Sequence, residues 1–323
     1  MVKKNISPII DINVKSRSTK KFNSRIVKSD MSKLTQDQYS TSSVLALTSD
    51  WNRFVDFCKS KHVHALPASI TAVRMFLEHE SKDRKFASLK RYSVTITVIH
   101  QLHNYPSPTS HRQIHFTLSQ LRNMKNGDAR QANALTVQHL EQLNCIIEKH
   151  TSLRSIRDLA IYYVMFECAL KRSELKIITL DDVSLSDQSY TLIVKDHHYK
   201  LSHLASNALN KWLDYLNLNA SSGYMFRRID KHDNIGVNQL DDSSIYRILR
   251  RASDLLGLDH SHRFTGQSAR VGATQELQKQ GFDIKDIQDF GRWLSPAMPA
   301  QYLQMTRMAE QEMSKFKVIK PWD

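Results

Sequence analysis

With eight glycines and seven prolines in 323 residues, the chain has too few turn-formers for an all-β or Rossmann-like architecture, and helix becomes the expected state. Apolar residues recur at helical spacing from about Ser42 onward. Trp51, Phe54, Val55 and Cys58 stand at i, i+3, i+4 and i+7, which describes one buried stripe. Pro67-Ala-Ser69 supplies a break and a cap before a helix over 70–80, whose Val73, Phe76 and Leu77 repeat the stripe. A third helix is expected over 86–103, ended by Pro106 and Pro108, and a fourth over 110–124. Four short helices with short connections predict a compact bundle over 41–124.

The polar, turn-rich segment 125–134 reads as a linker into a second domain over 135–323. Thr136 is placed to cap a helix carrying Val137, Leu140 and Leu143. A long apolar helix should follow over 152–170. Residues 190–194 (Tyr-Thr-Leu-Ile-Val) are the best strand in the sequence, with 200–204 as the expected hairpin partner. Helices are then predicted over 206–216, 243–256, 267–280, 284–290, 297–304 and 307–315. The expected fold class is mainly α: a helical bundle followed by an α+β domain with a small antiparallel sheet.

Composition narrows the partners. Lys and Arg outnumber Asp and Glu by 46 to 32, an excess that favours a polyanion, most often nucleic acid. Half of the net charge falls in residues 1–34, where nine Lys or Arg face Asp11 and Asp30 without a sustained apolar period. Residues 1–40 therefore read as a basic N-terminal arm. The longest apolar stretch, 159–170, is too short for a bilayer and contains Glu167, and no secretory h-region follows the N-terminal lysines. Cys58, Cys145 and Cys168 share no close spacing, so neither a disulfide framework nor a zinc motif is expected. His197-His198 and His260-Ser-His262 lack the further ligands a metal site needs. The expectation is a cytoplasmic protein without metal or cofactor.

Four pieces of the second domain fall in a recognisable order. Ala169-Leu-Lys-Arg-Ser-Glu-Leu175 ends the long helix, a strand carries Lys195 at its end, Thr265-Gly-Gln-Ser-Ala-Arg-Val-Gly-Ala273 opens a helix, and Gly291-Arg-Trp293 stands before Tyr302, nine residues beyond the tryptophan. In this order, behind a helical domain, they resemble the tyrosine recombinase (phage integrase) family, most nearly its Cre-like branch, over about residues 41–316.

The resemblance implies a chemistry. A tyrosine attacks a DNA phosphodiester and leaves a 3′-phosphotyrosine and a free 5′-hydroxyl. Positioned arginines stabilise the growing phosphate charge, and a hairpin lysine protonates the departing oxygen. By position, Tyr302 matches the nucleophile, Arg270 the second arginine, Trp293 the phosphate-facing His or Trp, and Glu174 the supporting acid. Lys195 matches the hairpin lysine, with Lys200 as competitor. Two positions depart from the pattern. Lys171 stands where the family has its first arginine, so bidentate phosphate contact is lost. Losing one such donor typically costs about 2.7–4 kcal/mol. Gln267 stands where histidine is usual, and glutamine cannot shuttle a proton; His262 lies five residues away as a substitute.

The resemblance also implies a two-domain clamp on double-stranded DNA. Ser43, Ser88, Lys90, Arg91 and Tyr92 match groove-facing positions in the first domain. Ser244, Arg247, Arg250 and Arg251 match a groove-entering helix in the second. A C-terminal helix with Met305, Met308, Met313 and Phe316 would dock into a neighbouring copy, giving a dimer or tetramer on DNA. Lys171 and Gln267 favour a protein that recognises a mobile element's attachment site, or targets a transposition machinery, with impaired or lost cleavage. The alternative is an active recombinase acting through Tyr302, and a generic nucleic-acid chaperone is a third reading.

Overall fold

The computed structural model describes every residue except 1–5, 129–130, 150, 187–188, 218–221, 306, 310 and 313–323. The chain divides into two compact units, Met1–Arg130 and Gln131–Asp323. Among the described residues no helix is long and apolar enough to cross a membrane.

The first unit is all helical: α1 (Ile12–Phe22), α2 (Lys28–Leu34), α3 (Thr41–Ser60), α4 (Ile70–Glu80), α5 (Phe86–Leu102) and α6 (Arg112–Met124). The Ser69 side chain accepts the Ala72 N–H at the start of α4, the cap that the sequence predicts. The α3 stripe of Trp51, Phe54, Val55 and Cys58 is buried together with Val73, Phe76 and Leu77 of α4.

The N-terminal segment differs from the expected arm. Residues 12–34 hold two helices, and Phe22, Ile26, Met31 and Leu34 are buried in the same core. Trp51 donates its indole N–H to the Phe22 carbonyl at 3.0 Å. Asn23 accepts the N–H groups of Ala65 and Leu66 at 2.8 and 3.0 Å. One apolar anchor per turn or loop suffices here because polar side chains complete the backbone hydrogen bonds. Arg17, Lys20, Lys21, Arg25, Lys28 and Lys33 remain exposed, so the charge sits on a folded scaffold.

A buried histidine in α5 makes the unit sensitive to acid. His100 is fully buried and accepts the Ala68 N–H on Nε2 at 2.9 Å. Its proton therefore sits on Nδ1 and is donated to the Ile96 carbonyl at 2.8 Å. Burial pushes its pKa down from 6.5 to about 4. The folded pKa lies below the unfolded one, so this stability is present above about pH 6.5 and is lost as pH falls through about 4. The full loss is about 3 kcal/mol. Urea midpoints recorded across that interval should fall with acid, and a His100→Gln variant should flatten the dependence; a parallel fall in both proteins would sink the assignment.

The second unit begins with α7 (Val137–Lys149) and α8 (Leu153–Glu167), then a single turn, α9 (Arg172–Leu175). Helix α8 is buried from Ile156 to Phe166 and forms the centre of the core. A three-stranded antiparallel sheet follows, ordered β1 (Val183–Ser186), β2 (Ser189–Val194) and β3 (His197–Lys200). The chain then runs through α10 (His203–Asn217), a hairpin of β4 (Arg227–Ile229) and β5 (Ile235–Gln239), α11 (Asp242–Leu255), α12 (Ser268–Lys279), α13 (Ile284–Phe290) and α14 (Ala297–Tyr302). The hairpin partner of β2 is 197–200, earlier than the expected 200–204. Val194 pairs with His197 because Lys195-Asp196 closes a tight turn, with Lys195 in the left-handed region at φ 58°. Ser202 then accepts the Ala205 N–H at 3.2 Å, which starts α10 ahead of the predicted residue 206. Of the expected C-terminal docking helix, Met313 and Phe316 lie outside the described residues.

Candidate active site

The second unit gathers the ends of five elements, α9, β2, α12, α13 and α14, around the buried charges of Glu174 and Arg270. Glu174 lies on α9, 4% exposed. It accepts the Lys171 backbone N–H at 2.9 Å and two bonds from Arg292, at 2.8 and 3.4 Å. The ammonium groups of Lys171 and Lys195 stand 3.5 and 3.7 Å from the same carboxylate. Burial alone would raise its pKa. The Arg292 hydrogen bond, the Lys171 N–H and the surrounding cations outweigh burial and hold it down at about 2. Lys171 is moved the other way: burial lowers its pKa, Glu174 opposes that, and Arg270 and Lys195 add to it.

Arg270, on the first turn of α12, is 2% exposed. It donates to the Ala169 carbonyl and, at 2.8 Å, to the Gly291 carbonyl. Its guanidinium lies over the Trp293 ring, 4.0 Å from the centroid. Burial lowers its pKa from 12.5 to about 10, with Glu174 opposing the shift; it stays cationic at neutral pH. Trp293 in turn meets Tyr302 edge-on, centroids 6.0 Å apart. Gly291 is required there, since a Cβ would stand 1.7 Å from the Trp293 ring.

Tyr302 ends α14 with 6% exposure and donates its hydroxyl to Gln267 Oε1 at 3.2 Å. Burial raises its pKa and Arg270 partly offsets the rise. Its carbonyl accepts from the side-chain amides of Gln131 at 3.1 Å and Gln275 at 3.3 Å. The nucleophile candidate is thus held at both its main chain and its hydroxyl. Gln267 parks the hydroxyl but cannot take its proton.

Tyr302, Gln267, Arg270, Trp293, Glu174, Lys171 and Lys195 therefore stand in one connected set. Lys195, rather than its competitor Lys200, reaches the Glu174 carboxylate. His262 is bound by Asp259 at 2.8 Å. Among the described residues no group of three His, Cys, Asp or Glu side chains could hold a metal. Arg172 is exposed, and its side chain crosses Gly266, where a Cβ would be 2.6 Å from Cδ and Nε.

Arg292 is the residue the sequence reading missed. Its side chain is only 4% exposed. Besides Glu174 it donates to the carbonyls of Cys168 at 3.1 Å and Phe290 at 3.2 Å, and to the Tyr199 hydroxyl. It adopts φ 56°, a backbone region that costs a non-glycine residue energy. Its only sequence signal is its place between Gly291 and Trp293.

The residues expected to face DNA are divided. Lys90 and Arg247 are exposed, and Ser43, Ser88, Ser244 and Arg250 are half-buried. Tyr92 is instead 4% exposed and part of the bundle core. Arg91 forms a two-pronged pair with buried Asp50 at 2.7 and 2.8 Å. Arg251 is bound to buried Asp158, with Nε at 2.9 Å. These last three hold the fold, because a buried carboxylate needs its partner.

A family model for the phage integrase family matches residues 133–308. The chain is 26% identical over 279 residues to an integrase/recombinase XerD homolog of Selenomonas ruminantium, covering 80% of each protein. It is 22% identical over 279 residues to the recombinase Cre of Escherichia phage P1, covering 77% of this chain and 79% of that one. Among solved structures, the XerH site-specific recombinase bound to palindromic difH substrate, in a post-cleavage complex, matches 98% of this chain and 91% of its own. The TM-score is 0.64 at 14% identity. A lambda integrase dimer bound to a COC′ core site matches 91% of this chain and 95% of its own, with TM-score 0.56 at 13% identity.

Proposed function

Since this chain belongs to the phage integrase family, with a tyrosine recombinase fold of the kind that serves DNA recombination, we propose that it cuts and rejoins double-stranded DNA through Tyr302. The observation that carries this reading is the connected set in which the Trp293 ring meets both the Arg270 guanidinium and the Tyr302 ring, while Gln267 holds the Tyr302 hydroxyl. In the proposed step Tyr302 Oη, its proton released to solvent, attacks the phosphorus and the bond to the 5′-oxygen breaks. Lys195 gives that oxygen a proton, and a 3′-phosphotyrosine and a free 5′-hydroxyl result. Arg270 and Lys171 offset the charge that grows on the phosphate. The setting would be a mobile element acting on chromosomal DNA in the cytoplasm, with copies of the chain assembled on DNA.

A second reading is favoured by Lys171, whose ammonium leans on Glu174, and by Gln267, which cannot move a proton. On that reading the protein marks an attachment site, or guides transposition proteins to it, without cutting.

Incubation with DNA spanning its own gene's flanks separates the two. Covalent protein–DNA adducts that resist SDS and are absent from Tyr302→Phe are expected. Specific gel shifts without adducts, joined by adducts once Lys171→Arg and Gln267→His are combined, would leave the site-marking reading standing instead.

A further inference from the structure

A second cationic site lies in the same unit, lined by none of the residues around Tyr302. Arg154 and Arg157 from α8, Arg228 from β4, and Arg247 and Arg251 from α11 line one cavity of about 240 Å³. Five guanidiniums meet there, and their tethering is uneven. Arg157 is bound to Asp158 at 2.7 and 3.0 Å and to the Arg227 carbonyl at 2.9 Å. Arg251 grips the other oxygen of Asp158. Arg154 donates to the Asp230 carbonyl and stands 3.9 Å from Asp233. Arg247 donates to the Ser244 hydroxyl at 3.1 Å, and its charge also bears on the helix cap Asp241. Arg228 is exposed and, among the described residues, has neither a hydrogen bond nor an ion pair for its side chain.

Two arginines thus form a rigid backing around one buried carboxylate, which offsets only one of their two charges. The others bring a cation excess to the mouth, where Arg228 is untethered and Arg247 is held by a single neutral hydroxyl beside Asp241. A guanidinium fork matches the oxygens of a phosphate in a planar, two-pronged way that an ammonium cannot. Concavity also matters: guanidiniums on several sides of a cavity can close on one tetrahedral anion.

We propose that this cavity is a phosphate-binding site, in which Arg228 and Arg247 close on one phosphate group against the Arg157–Asp158–Arg251 backing. The phosphate is supplied by the backbone of bound DNA or by a free nucleotide-like compound. The first source rests on the DNA reading above; the site itself does not.

The test uses the full chain and two probes, duplex DNA and inorganic pyrophosphate, against Arg228→Gln, Arg247→Gln and the double variant. Pyrophosphate is expected to bind wild type at one site by calorimetry, to compete with duplex, and to be lost in the double variant. The double variant, which gives up that one phosphate, should make the dependence of log K on log salt shallower by about 0.9. Pyrophosphate binding that the variants abolish, with the DNA salt slope unchanged, would keep the site and assign it to a free phosphate compound. Unchanged pyrophosphate binding and unchanged slope in the double variant would overturn the proposal. So would an equal loss in Lys279→Gln, which removes a charge outside the cavity. Measuring every protein in the Tyr302→Phe background, where no covalent adduct can form, reads failure here separately from failure of strand cleavage.

Discussion

Gly272→Ala is expected to destabilise the second unit by more than about 4 kcal/mol, an effect that single substitutions seldom reach. Glycine inside a helix ordinarily weakens it by about 1 kcal/mol relative to alanine, so in an isolated α12 the change would help. Packing reverses the sign. A Cβ at this position would stand 1.7 Å from the Leu135 carbonyl oxygen and 2.7 Å from its carbon. Both are main-chain atoms of a residue that is fully buried and whose N–H is bound to the Ser268 carbonyl at 3.0 Å. Neither side can give without parting the opening segment of the unit from α12. Chemical denaturation of wild type and variant measures the difference, and an unchanged or raised midpoint would show that the close approach is not required.

Arg292→Ala should cost about 3–5 kcal/mol at neutral pH, the usual consequence of stranding a buried charge. Glu174 keeps Lys171 and Lys195, but both ammoniums stand farther off than the 2.8 Å guanidinium contact. Pairing depresses the Glu174 pKa from 4.5 to about 2. Its contribution is therefore present above about pH 4.5 and is lost as pH falls through about 2. Removing Arg292 lets burial push the carboxyl up, so the deficit should shrink as the solution is acidified into the carboxylate range. Adding Glu174→Gln to the variant should recover much of the loss. A deficit that ignores both acid and the second substitution would mean that Arg292 acts through packing alone.

Residues whose role is carried by their own spacing were readable from sequence. The α3 stripe and the Ser69 cap appear where periodicity puts them, and α4 and α13 match their predicted bounds. Two kinds of feature were not. The 12–34 segment joins the core through Phe22, Ile26, Met31 and Leu34, spaced too irregularly to make a stripe, with Asn23 and Asn52 completing loop backbones. The β4–β5 hairpin is short and mostly exposed, so it carries no apolar alternation. Arg91 and Arg251 looked like surface cations because their partners, Asp50 and Asp158, lie far off in sequence. Arg292 was hidden for the same reason, since Glu174 stands 118 positions earlier. Sequence shows which charges exist; folding decides which are already used.

The two amides on the Tyr302 carbonyl carry one more consequence. Gln131 and Gln275 bind it from the opening of the unit and from α12, while Gln267 and Trp293 hold the side chain. Lending this tyrosine to another copy of the chain would break all four attachments at once. Under the proposed chemistry it would therefore work in cis, beside its own Arg270 and Trp293.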